Sequence, residues 1–298
     1  MDEIDHGPLR YCPADDGVRL AYRAQPGHGA DAPALVLVHG LASNSTRFSE
    51  FAATTRLRGR WTLLRPDLRG HGGSMHRGSL TRERWCADLV AILDAEGLKR
   101  AVFLGHSLGA QVVMELAVAH PGRVQGLILI DPVFPEALGG VMGRVRRFAF
   151  LNRIAIVVTR ALETLGVGRR QFPYRDLHAL DVRTRAALRD NPADDISRLY
   201  MKPRADLRFL PLTNYLQDLR EVVRPVPDPA RIGTPVLVLR SGGATVSDQD
   251  RMRDWIARFP HGQQVTIDAD HWLLTEHPRA AREAIDDWCE SLVRERRE

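Results

Sequence analysis

The sequence predicts an α/β fold, a parallel sheet covered by helices on both sides and interrupted by one helical insertion. Three observations carry this. Short runs such as Ala34-Leu35-Val36-Leu37-Val38 and Leu127-Ile128-Leu129-Ile130 are continuously apolar, as strands buried on both faces must be. Amphipathic stretches of helix length alternate with these runs through the first 132 residues, which is the rhythm of βαβ units. That rhythm stops after Pro132 and resumes after Pro229, with no convincing buried strand between.

Taken in order, Val18 to Ala24 alternates polar and apolar residues like an edge strand, and Trp61 to Arg65 is a shorter buried strand. Thr81 to Glu96 reads as a helix, with Thr81 as N-cap, Trp85, Leu89, Ile92 and Leu93 along one face, and Gly97 as its stop. Ala101 to Leu104 is a strand, and Leu108 to His120 a helix ended by Pro121-Gly122. Within the insertion the spacing predicts one long amphipathic helix over Val141 to Leu165, then helices near Leu177 to Arg189 and Thr213 to Val223, closed by Pro225, Pro227 and Pro229. A strand over Pro235 to Leu239, a helix near Asp248 to Ala257, a strand near Gln264 to Ile267 and a helix near Pro278 to Val293 complete the chain. The expected division is a discontinuous core of residues 1–132 and 230–298, with a helical cap over 133–229.

The 298 residues suffice for a full hydrophobic core without metal or disulfide staples. A composition of 44% hydrophobic and 27% charged residues excludes a wholly disordered or collagen-like chain. No apolar run approaches the roughly 20 residues that span a bilayer, so stable membrane insertion is not expected. The start, Met1-Asp2-Glu3-Ile4-Asp5, lacks the apolar core of a signal peptide. Cys12, Cys86 and Cys289 are odd in number and far apart, which suggests reduced thiols and a cytoplasmic protein.

The net charge is +5, and every basic residue but Lys99 and Lys202 is arginine, a bias that a GC-rich coding sequence explains. Val141 to Arg224 holds 17 basic and 9 acidic residues, so the rest of the chain is slightly acidic. A basic middle on an acidic frame argues against a nucleic-acid-binding surface. It leaves open an anionic substrate, a membrane surface or a solvated helix face.

Gly105-His106-Ser107-Leu108-Gly109 fits G-x-S-x-G and lies between a predicted buried strand and a predicted helix. That context presents the serine on a tight turn above the sheet edge, next to a helix N-terminus that favours negative charge. A serine hydroxyl needs a base. His271, in Asp268-Ala269-Asp270-His271-Trp272 after the last strand, falls at the same edge, whereas His106 reads as a packing residue of the turn.

With His39-Gly40 after one strand and Pro66-Asp67-Leu68-Arg69-Gly70-His71-Gly72-Gly73-Ser74 after the next, these motifs make the chain resemble the α/β-hydrolases. It resembles the capped, lipase-like kind, such as bacterial serine esterases and the meta-cleavage-product hydrolases. The resemblance implies a mostly parallel sheet of about eight strands and an inserted helical cap. It implies Ser107 as nucleophile, His271 as base, and an oxyanion hole from the Leu41 and Leu108 amides. It gives Asp67 a structural turn. No metal or organic cofactor is implied, and His39 has no second ligand at metal spacing.

The catalytic acid departs from the family pattern. The expected positions hold Ala244 and Thr245, and the next carboxylate is Asp248. Asp131, at the end of the preceding strand, is the leading candidate, with Asp248 behind it and then a missing or other acid, Asp270 included. The expected activity is hydrolysis of a carboxylic ester, lactones included, with a small-molecule substrate carrying an apolar acyl part. Phe148, Leu151, Ile154 and Val158 are the expected substrate-binding stripe of the cap. The competing expectations are a C–C bond hydrolase acting on a carboxylate-bearing dienol or diketone, and a non-catalytic ligand-binding member of the fold.

Overall fold

A computed structural model describes residues 4–29, 31–135, 140–191, 202–243 and 249–295, together with Leu138, Ile196 and Tyr200. Eight strands form one sheet: β1 Arg10–Pro13, β2 Arg19–Gln25, β3 Ala34–Val38, β4 Thr62–Pro66, β5 Ala101–His106, β6 Val124–Ile130, β7 Val236–Ser241 and β8 Gly262–Ile267. Their spatial order is β1-β2-β4-β3-β5-β6-β7-β8. The β1–β2 and β2–β4 pairs are antiparallel, and the rest are parallel.

The apolar runs alternate between two cores. Ala34, Val36 and Val38 of β3 join one cluster with Trp85, Val113 and Leu116, while Leu35 and Leu37 join the other with Phe48, Phe51 and Trp288. Strand periodicity sends neighbours to opposite faces, so a continuous apolar run is what two covered faces demand. Helices α2 (Arg82–Ala95) and α3 (Leu108–Ala119) cover the first face; α1 (Ser49–Thr54) and, at the end of the chain, the helix Pro278–Arg294 cover the second. Thr81 caps α2 by accepting from the Arg84 amide, and Gly97 follows it at φ 69°. Truncating a leucine at such a fully buried position costs about 2–5 kcal/mol.

Between β6 and β7 lie α4 (Gly140–Arg147), α5 (Ala149–Thr164), α6 (Leu177–Asp190), α7 (Pro203–Asp206) and α8 (Leu212–Val222), with no strand among the described residues. After β7 come α9 (Gln249–Ile256), α10 (Leu273–Glu276) and α11 (Pro278–Arg294). The single helix expected over Val141 to Leu165 is in fact two, parted at Phe148, whose φ of −103° and ψ of 27° leave the helical region. No glycine or proline marks the break.

Two helices of the insertion turn unexpected faces inward. On α8 the buried face is polar: Asn214, Gln217, Asp218 and Glu221 recur at helical spacing and are buried. Asn214 donates to the carbonyls of Gly70 and His76 at 2.9 Å, and Gln217 accepts from the Leu80 amide at 3.0 Å. Asp218 pairs with His71 at 2.8 Å, and Glu221 with Arg82 at 3.6 Å. Burial alone would lower the pKa of His71, but the Asp218 carboxylate reverses this and raises it. Gln111 of α3 donates to the Val222 carbonyl at 2.9 Å. On α5, Asn152 donates to the Leu216 carbonyl and Glu163 accepts from Thr213. The polar side of α5 therefore faces α8, and its apolar side faces away.

Candidate active site

The carboxyl ends of β3, β5, β6 and β7 converge where the chain order of the sheet reverses, which is where parallel sheets open a crevice. Ser107 occupies the turn between β5 and α3 at φ 55° and ψ −116°, a strained conformation for a residue with a Cβ. The flanking glycines are sterically required. A Cβ on Gly105 would lie 2.4 Å from the Gly109 carbonyl oxygen, and one on Gly109 would lie 2.3 Å from that of Val38. Gly40 lets the loop after β3 pass against the turn, since its Cβ would approach the His106 carbonyl at 3.0 Å. Leu108 opens α3, so its N–H belongs to the first turn and has no intrahelical acceptor. Leu41, after Gly40, is on the cavity wall.

His271 follows β8 and is buried. Its Nδ1 donates to Asp131 Oδ2 at 2.6 Å, which fixes the tautomer and leaves the Nε2 lone pair free to accept a proton. Asp131 follows β6 directly, at φ 40°. Its other oxygen, Oδ1, accepts from the Ser241 amide at 3.0 Å and the Ser241 hydroxyl at 2.7 Å, at the end of β7. Burial would raise the Asp131 pKa, but these bonds outweigh it and hold the carboxylate below its usual range. Of the other acid candidates, Asp248 lies outside the described residues, as do Ala244 and Thr245. Asp270 precedes His271 in the chain, and its backbone N–H donates to Glu276 at 2.9 Å.

His106 is more than packing. Its Nε2–H donates to the His271 carbonyl at 3.0 Å, bracing the loop that carries the second histidine. Burial and the neighbouring His271 push its pKa down to about 3, so it stays neutral. His39 uses both ring nitrogens structurally, donating to the Gly40 carbonyl and accepting from the Leu68 amide. Asp67 holds the turn after β4 by accepting from the Ser45 and Gly73 amides.

Ser107 and His271 line one cavity of about 460 Å³. The insertion supplies much of its wall, including Leu177, Tyr200, Tyr215 and Leu219. Two arginines also reach it, and each is paired. Arg175 meets Asp206 at 2.6 Å, and Arg47 meets Asp181, which also accepts from Tyr200. None of Phe148, Leu151, Ile154 or Val158 lines the cavity; all four are exposed. The expectation that they bind substrate is corrected, because α8 lies between α5 and the cavity and supplies the lining through Tyr215 and Leu219. The cavity-wall ion pairs escaped the sequence reading, since their members sit on separate loops and helices with no local pattern.

The model of the alpha/beta hydrolase fold family matches residues 33–278. The chain belongs to the α/β-hydrolase family. Among related α/β-hydrolases, the sn-1-specific diacylglycerol lipase ABHD11 of Danio rerio is 33% identical over 114 residues, 38% of this chain. The match spans only 36% of that relative's length. A Haemophilus influenzae protein provisionally named an esterase/lipase is 24% identical over 85% of this chain and 82% of its own length. The enol-lactonase from Burkholderia xenovorans LB400 superposes with a TM-score of 0.69 over 94% of this chain and all of its own, at 21% identity, a likeness of fold.

Proposed function

We propose that this α/β-hydrolase cleaves a carboxylic ester, lactones included, through an acyl-enzyme on Ser107. The observation that carries this is the 2.6 Å bond from His271 Nδ1 to the buried Asp131, behind a cavity that Ser107 also lines. Ser107 attacks the carbonyl while His271 Nε2 takes its proton, and Asp131 stabilises the imidazolium that results. The Leu41 and Leu108 amides receive the oxyanion. His271 then protonates the leaving alkoxide and activates water to release the acid. A small uncharged ester fits best, because Arg47 and Arg175 are already paired with carboxylates. That pairing disfavours C–C cleavage of a carboxylate-bearing substrate. The names of the esterase/lipase and lipase relatives support an ester bond as the target.

A fluorophosphonate probe is expected to label Ser107, and a panel of p-nitrophenyl esters to be turned over. Absence of both labelling and turnover would refute the hydrolase reading in favour of a binding protein. A vinylogous diketo acid cleaved faster than every ester would favour the C–C hydrolase.

Acyl-chain preference should be set by α8. Leu219→Trp fills the cavity, and each excluded methylene is worth about 0.8 kcal/mol. The ratio of kcat/KM for long over short acyl esters is expected to fall at least about tenfold. Ile154→Ala, outside the cavity, should leave that ratio unchanged. An unaltered ratio in Leu219→Trp would place the acyl chain elsewhere.

A further inference from the structure

Nine of the thirteen large hydrophobic side chains that are exposed among the described residues fall between Phe148 and Val167. Most belong to α5. Phe150, Leu151, Ile154, Val157, Val158 and Leu162 are between 41% and 68% exposed and recur at the spacing of one helix face. The opposite face is fixed by contacts, since Asn152, Arg160 and Glu163 bond to Leu216, Gln217 and Thr213 of α8. The inward side thus carries these polar residues and the buried Ile156, and burial in this chain does not explain the apolar stripe on the other side. Contiguous apolar surface rimmed by charge marks a docking site.

Charge identifies the occupant. Residues 140–170 contain seven arginines and one acidic residue, Glu163, which is turned toward α8. Arg144, Arg147 and Arg153 are exposed and have no acidic partner among the described residues. A second copy of this chain would bring two such arginine clusters together across a two-fold interface, where like charges repel. An anionic lipid surface offers both things the helix lacks: apolar depth for the stripe and phosphates for the arginines. No helix among the described residues is long and apolar enough to cross a bilayer, so α5 would lie in the plane of the surface.

We propose that α5 docks this protein onto the surface of an anionic phospholipid bilayer. Its apolar stripe enters the boundary between headgroups and acyl chains, with Arg144, Arg147 and Arg153 on the phosphates. The proposal is independent of the reaction catalysed.

The test is flotation of the full chain with phosphatidylcholine vesicles, with and without phosphatidylglycerol. Binding is expected to be at least about tenfold tighter to the anionic vesicles and to weaken as salt rises. The double variant Phe150→Asp/Val157→Asp should lose at least about tenfold in vesicle binding, with melting temperature and turnover of a soluble short ester unchanged. Should that variant fail to fold, Arg144→Gln/Arg147→Gln/Arg153→Gln decides, since it should remove only the preference for anionic lipid. No binding to either vesicle, or anionic binding that the arginine variant leaves intact, overturns the proposal. So does a concentration-dependent dimer in ultracentrifugation that the double variant dissolves, which would make a second copy the occupant.

Discussion

Ser107→Ala is expected to lower ester turnover by about 10⁴-fold or more, since residues of a triad act as a unit and removal of the nucleophile leaves only background catalysis. Fluorophosphonate labelling should vanish with it. The fold should survive, because what the turn requires is at Gly105, Gly109 and Gly40, and alanine tolerates the position no worse than serine. Circular dichroism and melting temperature verify this. Pure Ser107→Ala protein retaining more than about a tenth of wild-type turnover would end the case for a serine mechanism.

Asp131→Asn should cost at least about 10²-fold in turnover, and up to about 10⁴. Asparagine can keep its carbonyl on the Ser241 amide and hydroxyl, which leaves its NH₂ facing His271 Nδ1. That donor forces the imidazole into the other tautomer, with the proton on Nε2, where it cannot serve as a base. The loss should appear in kcat with little change in KM, and melting temperature should separate it from damage to the loop. Asp248→Asn is the matched control and should cost little. A crippled Asp248→Asn beside a near-normal Asp131→Asn would move the acid to the segment after β7. If neither matters, Asp270 becomes the next residue to substitute.

The parts of this fold that depend on local sterics were readable in the chain. The turn at Ser107 needs glycine on both sides, Thr81 must cap α2, and β3 must be apolar throughout because both of its faces are covered. Ser107, singled out by its motif, and His271 could be placed at one edge from the sequence because each follows a strand of the sheet, and both line one cavity. The acid was not unique in the sequence. Only the hydrogen-bonded adjacency of β6 and β7 brings Asp131 against Ser241, and that pairing joins residues 110 positions apart. The insertion defeated periodicity for a physical reason. A period locates a face but does not say which face turns inward, and the usual assumption is that the apolar one does. In α8 a polar face is buried because distant loop groups pair with it, while α5, stacked behind, is left with apolar residues outside.

The polar seam under α8 limits how the molecule can breathe. Its bonds to Gly70, His76, Leu80, His71, Arg82 and Gln111 reach elements on the core side of the cavity. A neutral bond contributes about 0.5–1.5 kcal/mol net, and one to a charged group about 1.5–3. Lifting α8 away would have to break these contacts together. A hinge rotation of the whole insertion is therefore opposed by many bonds in parallel. Rotamer changes at the cavity rim need break none of them, and they run on far faster clocks.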